Sequence, residues 1–278
     1  MGALPSYCAS RYVQPLREGG SLPAVVDTEG GLFVVKFRGA GQGTKVLVAE
    51  LIVGGLALRL GLPTPELALV EISSRFGRSE PDPEIQDLLR KSHGVNVGNR
   101  YLDGAFNFDL SAAGSLVPSD LAARIVWLDA FTTNPDRTAR NPNLLVWQRQ
   151  PWLIDHGAAL YAHHDWASVD GERTRTPFPL IRSHVLLRQS GDLTVADREC
   201  AARLTDDAIR DVVSSVPDSL LVDPAGGAND FASGDEARDR YLRYLTERLA
   251  EPREFLREAI AAQEQVRLEP PLHLKARR

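Results

Sequence analysis

The stretch NPDRTARNPNLLVWQRQPWLIDHG, Asn134 to Gly157, decides how this sequence is read. NLLVW and PWLID are short and apolar, with QRQ between them, and read as a β-hairpin centred on Gln148. In that register Leu145 faces Pro151, Asn143 faces Leu153 and Asn141 faces Asp155. Directly paired Cβ atoms lie ~5 Å apart, a span that lets one hard cation such as Mg²⁺ be held by an oxygen from each residue. Asp136 falls in the loop just before, close to the same spot. Any one of the three is an ordinary turn or strand-end residue. Together they are the kit of phosphoryl transfer: one carboxylate to orient or deprotonate an acceptor, and an amide with a second carboxylate to hold magnesium on phosphates.

The bulk composition is compatible with that chemistry. A chain of 278 residues, 43% hydrophobic and 25% charged, can build one two-lobed domain or two small ones. A net charge of −5 argues against a nucleic-acid or anionic-membrane partner. Cys8 and Cys200 have neither CxxC spacing nor a neighbouring His set, so neither a disulfide framework nor a zinc site is expected. The first residues lack the pattern of a signal peptide, and the longest apolar run, Leu51–Leu62, is short and interrupted by Arg59. A cytoplasmic protein without a membrane span is the expectation.

Along the chain, RYVQPL, PAVVDTE and GLFVVKF, separated by REGGS and EGG, read as three strands of an antiparallel meander. The next run changes period: Leu47, Leu51 and Leu58 recur at helical spacing, with Thr44 as N-cap and Gly61 just past the end. Gly54 and Gly55 inside it imply close packing, since each costs roughly 1 kcal/mol relative to alanine. PELALVEI is a fourth strand and EPDPEIQDLLRKSHG a short charged helix. VNVGNRYLDGAFNFD is rich in Gly and Asn and is expected to be an irregular linker between lobes. Beyond it Leu121, Ile125, Leu128 and Phe131 share a helical face, with Ser119 or Asp120 as cap and Pro135 as stop. The last third is amphipathic helix, Tyr241, Leu245 and Leu249 facing inward. A β-rich first third before a helical remainder gives an α+β fold, with lobes at 1–104 and 105–278.

DRTARN followed by IDHG resembles the catalytic and metal loops of the protein-kinase-like superfamily. Within it the chain resembles the HipA-like kinases, and more distantly the phosphatidylinositol kinases, whose loops read D-R-H-x-x-N and I-D-F-G. Thr138 stands where relatives often place His, and His156 replaces the Phe of D-F-G. The resemblance implies a small β-rich N-lobe and a helical C-lobe around an ATP cleft. It implies transfer of the γ-phosphoryl of MgATP to a hydroxyl acceptor, with Asp136 orienting the acceptor or taking its proton and Asn141 and Asp155 holding Mg²⁺. Such kinases carry a strand lysine against the α/β-phosphates; FVVKF supplies Lys36, with Val34 two residues earlier as adenine roof. A lysine aimed into a cleft needs a counter-ion, and Glu50 on the following helix is placed to be one. Tyr101 and Leu102 fall at the expected hinge and are positional candidates for adenine contact. REGGS (Arg17–Ser21) and RGAGQGTK (Arg38–Lys45) are candidates for the phosphate-covering loop, without any Walker A pattern.

The resemblance implies a protein Ser or Thr as the leading acceptor. A nucleotide-binding module without catalysis, a lipid or small-molecule kinase, and an AMP transferase stay open. YAHHDW is expected to contribute surface or core histidines rather than a metal site, and the LHLKARR tail a solvated end.

Overall fold

A computed structural model of the chain describes residues 4–16, 22–41, 43–78, 80–222 and 230–270. REGGS and LHLKARR lie outside them. The first three strands, β1 (Ser6–Pro15), β2 (Ala24–Thr28) and β3 (Gly31–Lys36), form the expected antiparallel meander. Strand β4 (Leu67–Ile72) follows helix α1 (Thr44–Arg59), and β5 (Gly94–Arg100) follows α2 (Pro83–Lys91). β3 pairs antiparallel with β5, β5 antiparallel with β4, and β4 returns to β1 in parallel, so the order β1-β2-β3-β5-β4 closes a barrel. Alternation sends Phe33 and Val35 into the apolar cluster of this barrel and turns Val34 and Lys36 the other way.

β5 corrects the expected linker: VNVGNR is a strand with both neighbours in place. Its asparagines, which made it look irregular, are buried and bonded. Asn96 donates to the carbonyls of Ser92 at 2.9 Å and Gly94 at 2.8 Å, and accepts from the Arg38 amide at 2.8 Å. A buried amide with its hydrogen bonds satisfied is compatible with a sheet interior.

α1 is buried along most of its length, from Leu47 to Ala57. Its cap position is Gly43, at φ 70°, and not the Thr44 side chain; Gly61 does close the far end at φ 70°. The two helical glycines are sites of close approach. A Cβ on Gly54 would lie 2.8 Å from Leu67 Cδ1, and one on Gly55 2.8 Å from Val212 Cγ1.

The chain then runs through β6 (Phe106–Asn107), α3 (Leu110–Ala113) and α4 (Ser119–Phe131). All four expected inward residues of α4 are buried. No side chain caps its start, where Pro118 occupies the cap position, and it ends at Phe131, before Pro135 is reached. The hairpin exists as β7 (Leu144–Trp147) and β8 (Gln150–Leu153), joined to β6 in a small sheet. Its register differs from expectation by one residue. The turn is Gln148–Arg149, both at positive φ, so Leu144 pairs with Leu153 and Val146 with Pro151. Two-residue turns with both central residues left-handed match the twist of the strands they join, and that geometry prevails here over the residue preference for Asn-Gly.

A 3₁₀ stretch (Tyr161–Ser168) and a second one (Pro179–Ser183) flank α5 (Gly171–Thr174). The helical remainder comprises α6 (Leu193–Arg203), α7 (Asp206–Ser214), α8 (Asp218–Leu221), α9 (Gly234–Leu249) and α10 (Glu254–Leu268). Tyr241, Leu245 and Leu249 of α9 are buried as expected. One apolar core joins α1 to α4, α6, α7, α9 and α10. The molecule is α+β, with a β-rich N-terminal region and a helical C-terminal region. No helix of the described residues is long and apolar enough to cross a membrane.

The adjacent histidines sit in the first 3₁₀ stretch rather than on an extended segment. His163 is buried with Nδ1 3.1 Å from the Tyr241 hydroxyl, and His164 is exposed. Burial pushes the His163 pKa down to about 3, so the unfolded chain binds the proton that the folded one refuses. Its contribution to stability is therefore complete above the unfolded value and is lost as pH falls below it, about 2 kcal/mol at pH 5. Urea unfolding between pH 5 and 7 should show this slope, reduced in His163→Phe. An unchanged slope in that variant would remove His163 from the account.

Candidate active site

Three distant segments meet at one ammonium group. Lys36 ends β3, and its Nζ lies 2.8 Å from Glu50 Oε2 on α1. The same Nζ lies 2.5 Å from Asp155 Oδ1, just beyond β8. Glu50 is fully buried, and its carboxylate also accepts from Asn99 Nδ2 at 2.8 Å and from the His156 amide at 2.7 Å. Burial opposes the charge on Lys36, but the two carboxylates outweigh it and raise the pKa to about 12. Burial likewise opposes ionisation of Glu50 and Asp155, and Lys36 holds both below the usual carboxylate range. The group is ionised throughout, with one cation shared by two anions.

Asp155 differs from Glu50 in exposure: 43% of its side chain remains open, and Oδ2 has no partner among the described residues. Its backbone is left-handed, at φ 55°. Gly157 lets this loop approach α1, because a Cβ there would lie 2.5 Å from Val46 Cγ1.

The Asp136–Asn141 loop forms a second cluster. Asp136 Oδ2 accepts from Asn141 Nδ2 at 2.9 Å and from Asn143 Nδ2 at 3.0 Å, which leaves Oδ1 and the Asn141 Oδ1 free among the described residues. Asn141 does not face Asp155 across the hairpin. The one-residue register change ends the ladder at Leu144, the Ile154 amide bonds the Asn143 carbonyl at 3.1 Å, and Asn141 turns toward Asp136 instead. Its placement beside Asp136 thus comes from the loop, not from strand pairing.

Of the remaining candidates, Val34 is half-buried opposite Asn99 on β5. Tyr101 is half-buried and Leu102 buried immediately after that strand, the Tyr101 amide bonding the Leu32 carbonyl at 2.9 Å. A cavity of about 420 Å³ lies beside Gly43, Thr44 and Lys45 at the start of α1, and none of these site residues lines it. Its acidic residue, Asp230, is engaged by Lys45 at 2.7 Å. Among the described residues no cluster of three or more His, Cys, Asp or Glu side chains could hold a metal ion.

A family model described as HipA-like kinase matches residues 13–171, which is more than half of the chain and includes Lys36, Glu50, Asp136, Asn141 and Asp155. The chain belongs to the HipA-like kinase family. Among solved structures this HipA-like chain is similar to the Helicobacter pylori proinflammatory kinase CtkA. The two are 12% identical, with a TM-score of 0.56 over 96% of this chain and 100% of that one. At that identity the likeness speaks for the fold. No curated protein sequence matches the chain.

Several participants in this HipA-like site escaped sequence reasoning. Asn99 falls in the segment expected to be a linker, yet it braces Glu50 from β5. Asn143 falls in the expected hairpin, yet its Nδ2 bonds Asp136. Arg137 and Asp129, both buried, carry no motif signal beyond the arginine next to Asp136.

Proposed function

We propose that this HipA-like chain is an ATP-dependent phosphotransferase acting on a hydroxyl acceptor, most plainly a protein Ser or Thr. The reading rests on one observation above all: Lys36 bridging Glu50 and Asp155, brought together from β3, α1 and the loop after β8. Lys36 supplies charge to the α/β-phosphates and Glu50 keeps its ammonium aimed. Val34, Tyr101 and Leu102 line the adenine side, with residues 1–104 forming the nucleotide lobe and 105–278 the catalytic one. Asp136 Oδ1 receives the acceptor proton as the acceptor oxygen bonds the γ-phosphorus; the bond from that phosphorus to the β–γ bridging oxygen breaks, and ADP leaves.

The free oxygens fit a hard cation: Asp155 Oδ2 and Asn141 Oδ1 are unpartnered among the described residues, and Mg²⁺ prefers such ligands. These two would hold Mg²⁺, which when bound neutralises charge on the β- and γ-phosphates.

The thermal midpoint with and without ATP and MgCl₂ tests this reading. Nucleotide at a hundredfold excess over its Kd stabilises by ~2.7 kcal/mol. The shift should require magnesium and vanish in Asp155→Ala. No shift in the parent protein at millimolar nucleotide would end the kinase reading of these residues. Product mass then separates added phosphate from added AMP.

A further inference from the structure

Beneath the two clusters lies a buried ion pair that the proposed chemistry does not use. Asp129, on α4, is fully buried, and so is the Arg137 guanidinium, whose Nε lies 2.6 Å from Asp129 Oδ2. Asp129 holds both sides of Asp136. Its Oδ1 accepts from Asn134 Nδ2 at 3.0 Å, while Asn134 Oδ1 accepts from the Asp136 amide at 3.1 Å. Its Oδ2 takes Arg137, the next residue along. The remaining guanidinium nitrogens reach the other loop: one donates to the carbonyls of Asn143 and, at 3.3 Å, Ile154, and the other lies 3.4 Å from His156 Nδ1. Ile154 and His156 flank Asp155.

His184 completes the hub from beyond the second 3₁₀ stretch. Its Nδ1 accepts from the Leu186 amide at 3.1 Å, so Nε2 carries the proton that reaches Asp129 Oδ2 at 2.9 Å. The carboxylate therefore has three donors and one full countercharge. An isolated buried ion pair is weak evidence for stability, because a well-packed apolar substitute often does as well. What such a substitute cannot do is span two loops. The backbone here needs restraint: Thr133, Asn143 and Asp155 all hold positive φ, at 54°, 47° and 55°. Conformations of that kind persist only where their surroundings over-determine them.

We propose that Arg137, anchored by Asp129, is a positioning residue that fixes the Asp136 loop against the Asp155 loop. Its functional meaning rests on the phosphotransferase reading; its geometric meaning does not. Arg137 touches none of the reacting groups. It acts by capping the carbonyls of Asn143, whose side chain bonds Asp136, and of Ile154, which precedes Asp155. A planar, forked guanidinium can bridge these points at once, and an ammonium cannot.

The test compares Arg137→Lys, which keeps a cation for Asp129 but loses the fork, with the parent protein. Leu249→Ala, a core truncation on α9, serves as a control for lowered stability alone. In ligand-free protein, amide hydrogen exchange across residues 154–157 should rise at least tenfold in Arg137→Lys and stay at the parent rate in Leu249→Ala. With MgATP, turnover per folded molecule should fall at least tenfold while the KM for ATP changes less than threefold. Unchanged exchange at 154–157 in Arg137→Lys would overturn the positioning role, as would full turnover with only a lowered midpoint. Asp129→Asn extends the series, and exchange at the same amides should rise in it as well. If the parent neither binds nor turns over MgATP, the phosphotransferase reading fails, while exchange still decides whether Arg137 ties the loops.

Discussion

Asp136→Asn should lower phosphoryl transfer by ~10²- to 10⁴-fold, the range general-base catalysis supplies, while MgATP affinity stays close to the parent value. The split follows from where Asp136 sits. Its Oδ2 is engaged by Asn141 and Asn143, and it shares no bond with Lys36 or Asp155. An asparagine keeps the shape of the loop and one oxygen for those donors, yet offers nothing basic to an acceptor hydroxyl. Asp155→Ala should behave in the opposite sense, losing magnesium-dependent binding first. Single-turnover rates and nucleotide titrations on the two variants decide the matter. Transfer within tenfold of the parent in Asp136→Asn would deny that residue the role of base.

Lys36→Met should destabilise the fold by ~3–5 kcal/mol at neutral pH, the usual result of leaving one buried charge without its partner. Glu50 is fully buried, so its carboxylate would keep only the Asn99 and His156 donors and lose its countercharge. The pH dependence should reverse sign at this site. In the parent, Glu50 is held below its unfolded pKa, so its contribution is present above that value and lost as pH falls. Without Lys36, burial dominates and the folded pKa rises above the unfolded one, so stability is retained at low pH and lost as pH rises. Urea unfolding at pH 5.5 and 7.5 should find the variant closer to the parent at the lower pH. Adding Glu50→Gln should recover part of the loss at pH 7.5, a coupling a double-mutant cycle measures. A penalty below about 1 kcal/mol would mean that Glu50 relaxes to solvent and that the pair is not a fixed element of the cleft.

The residues that the sequence made legible share one property: their neighbours in sequence already dictate how they are presented. Lys36 was found because the resemblance calls for a strand lysine and FVVKF supplies one on the face of Val34. Glu50 was found because a lysine aimed into a cleft needs a counter-ion and Glu50 lies on the helix that follows. The five-residue step from Asp136 to Asn141 was visible in a loop that Pro135 and Pro142 constrain. The hairpin was legible as a hairpin, though not in register, because register depends on a turn whose two residues, Gln148 and Arg149, show little preference for the left-handed conformation they adopt.

β5 was missed for a related reason. Composition treats asparagine as a loop residue, and only the positions of the Ser92 and Gly94 carbonyls and of Glu50 show that Asn96 and Asn99 are satisfied inside a sheet. The hub of Asp129, Arg137 and His184 was further from reach, since 55 residues separate Asp129 from His184. Nothing periodic or local links them. By itself the sequence determined the α+β order of elements, which follows from backbone periodicity, and the spacing of the Asp136–Asn141 loop, while the strand lysine and the helical glutamate were found through the resemblance that this spacing carries. Only the tertiary structure decided that the barrel closes through a parallel β1–β4 pair, that Asn141 turns to Asp136 rather than Asp155, and that one buried arginine joins the two loops, because each depends on which polar groups must find partners once water is excluded.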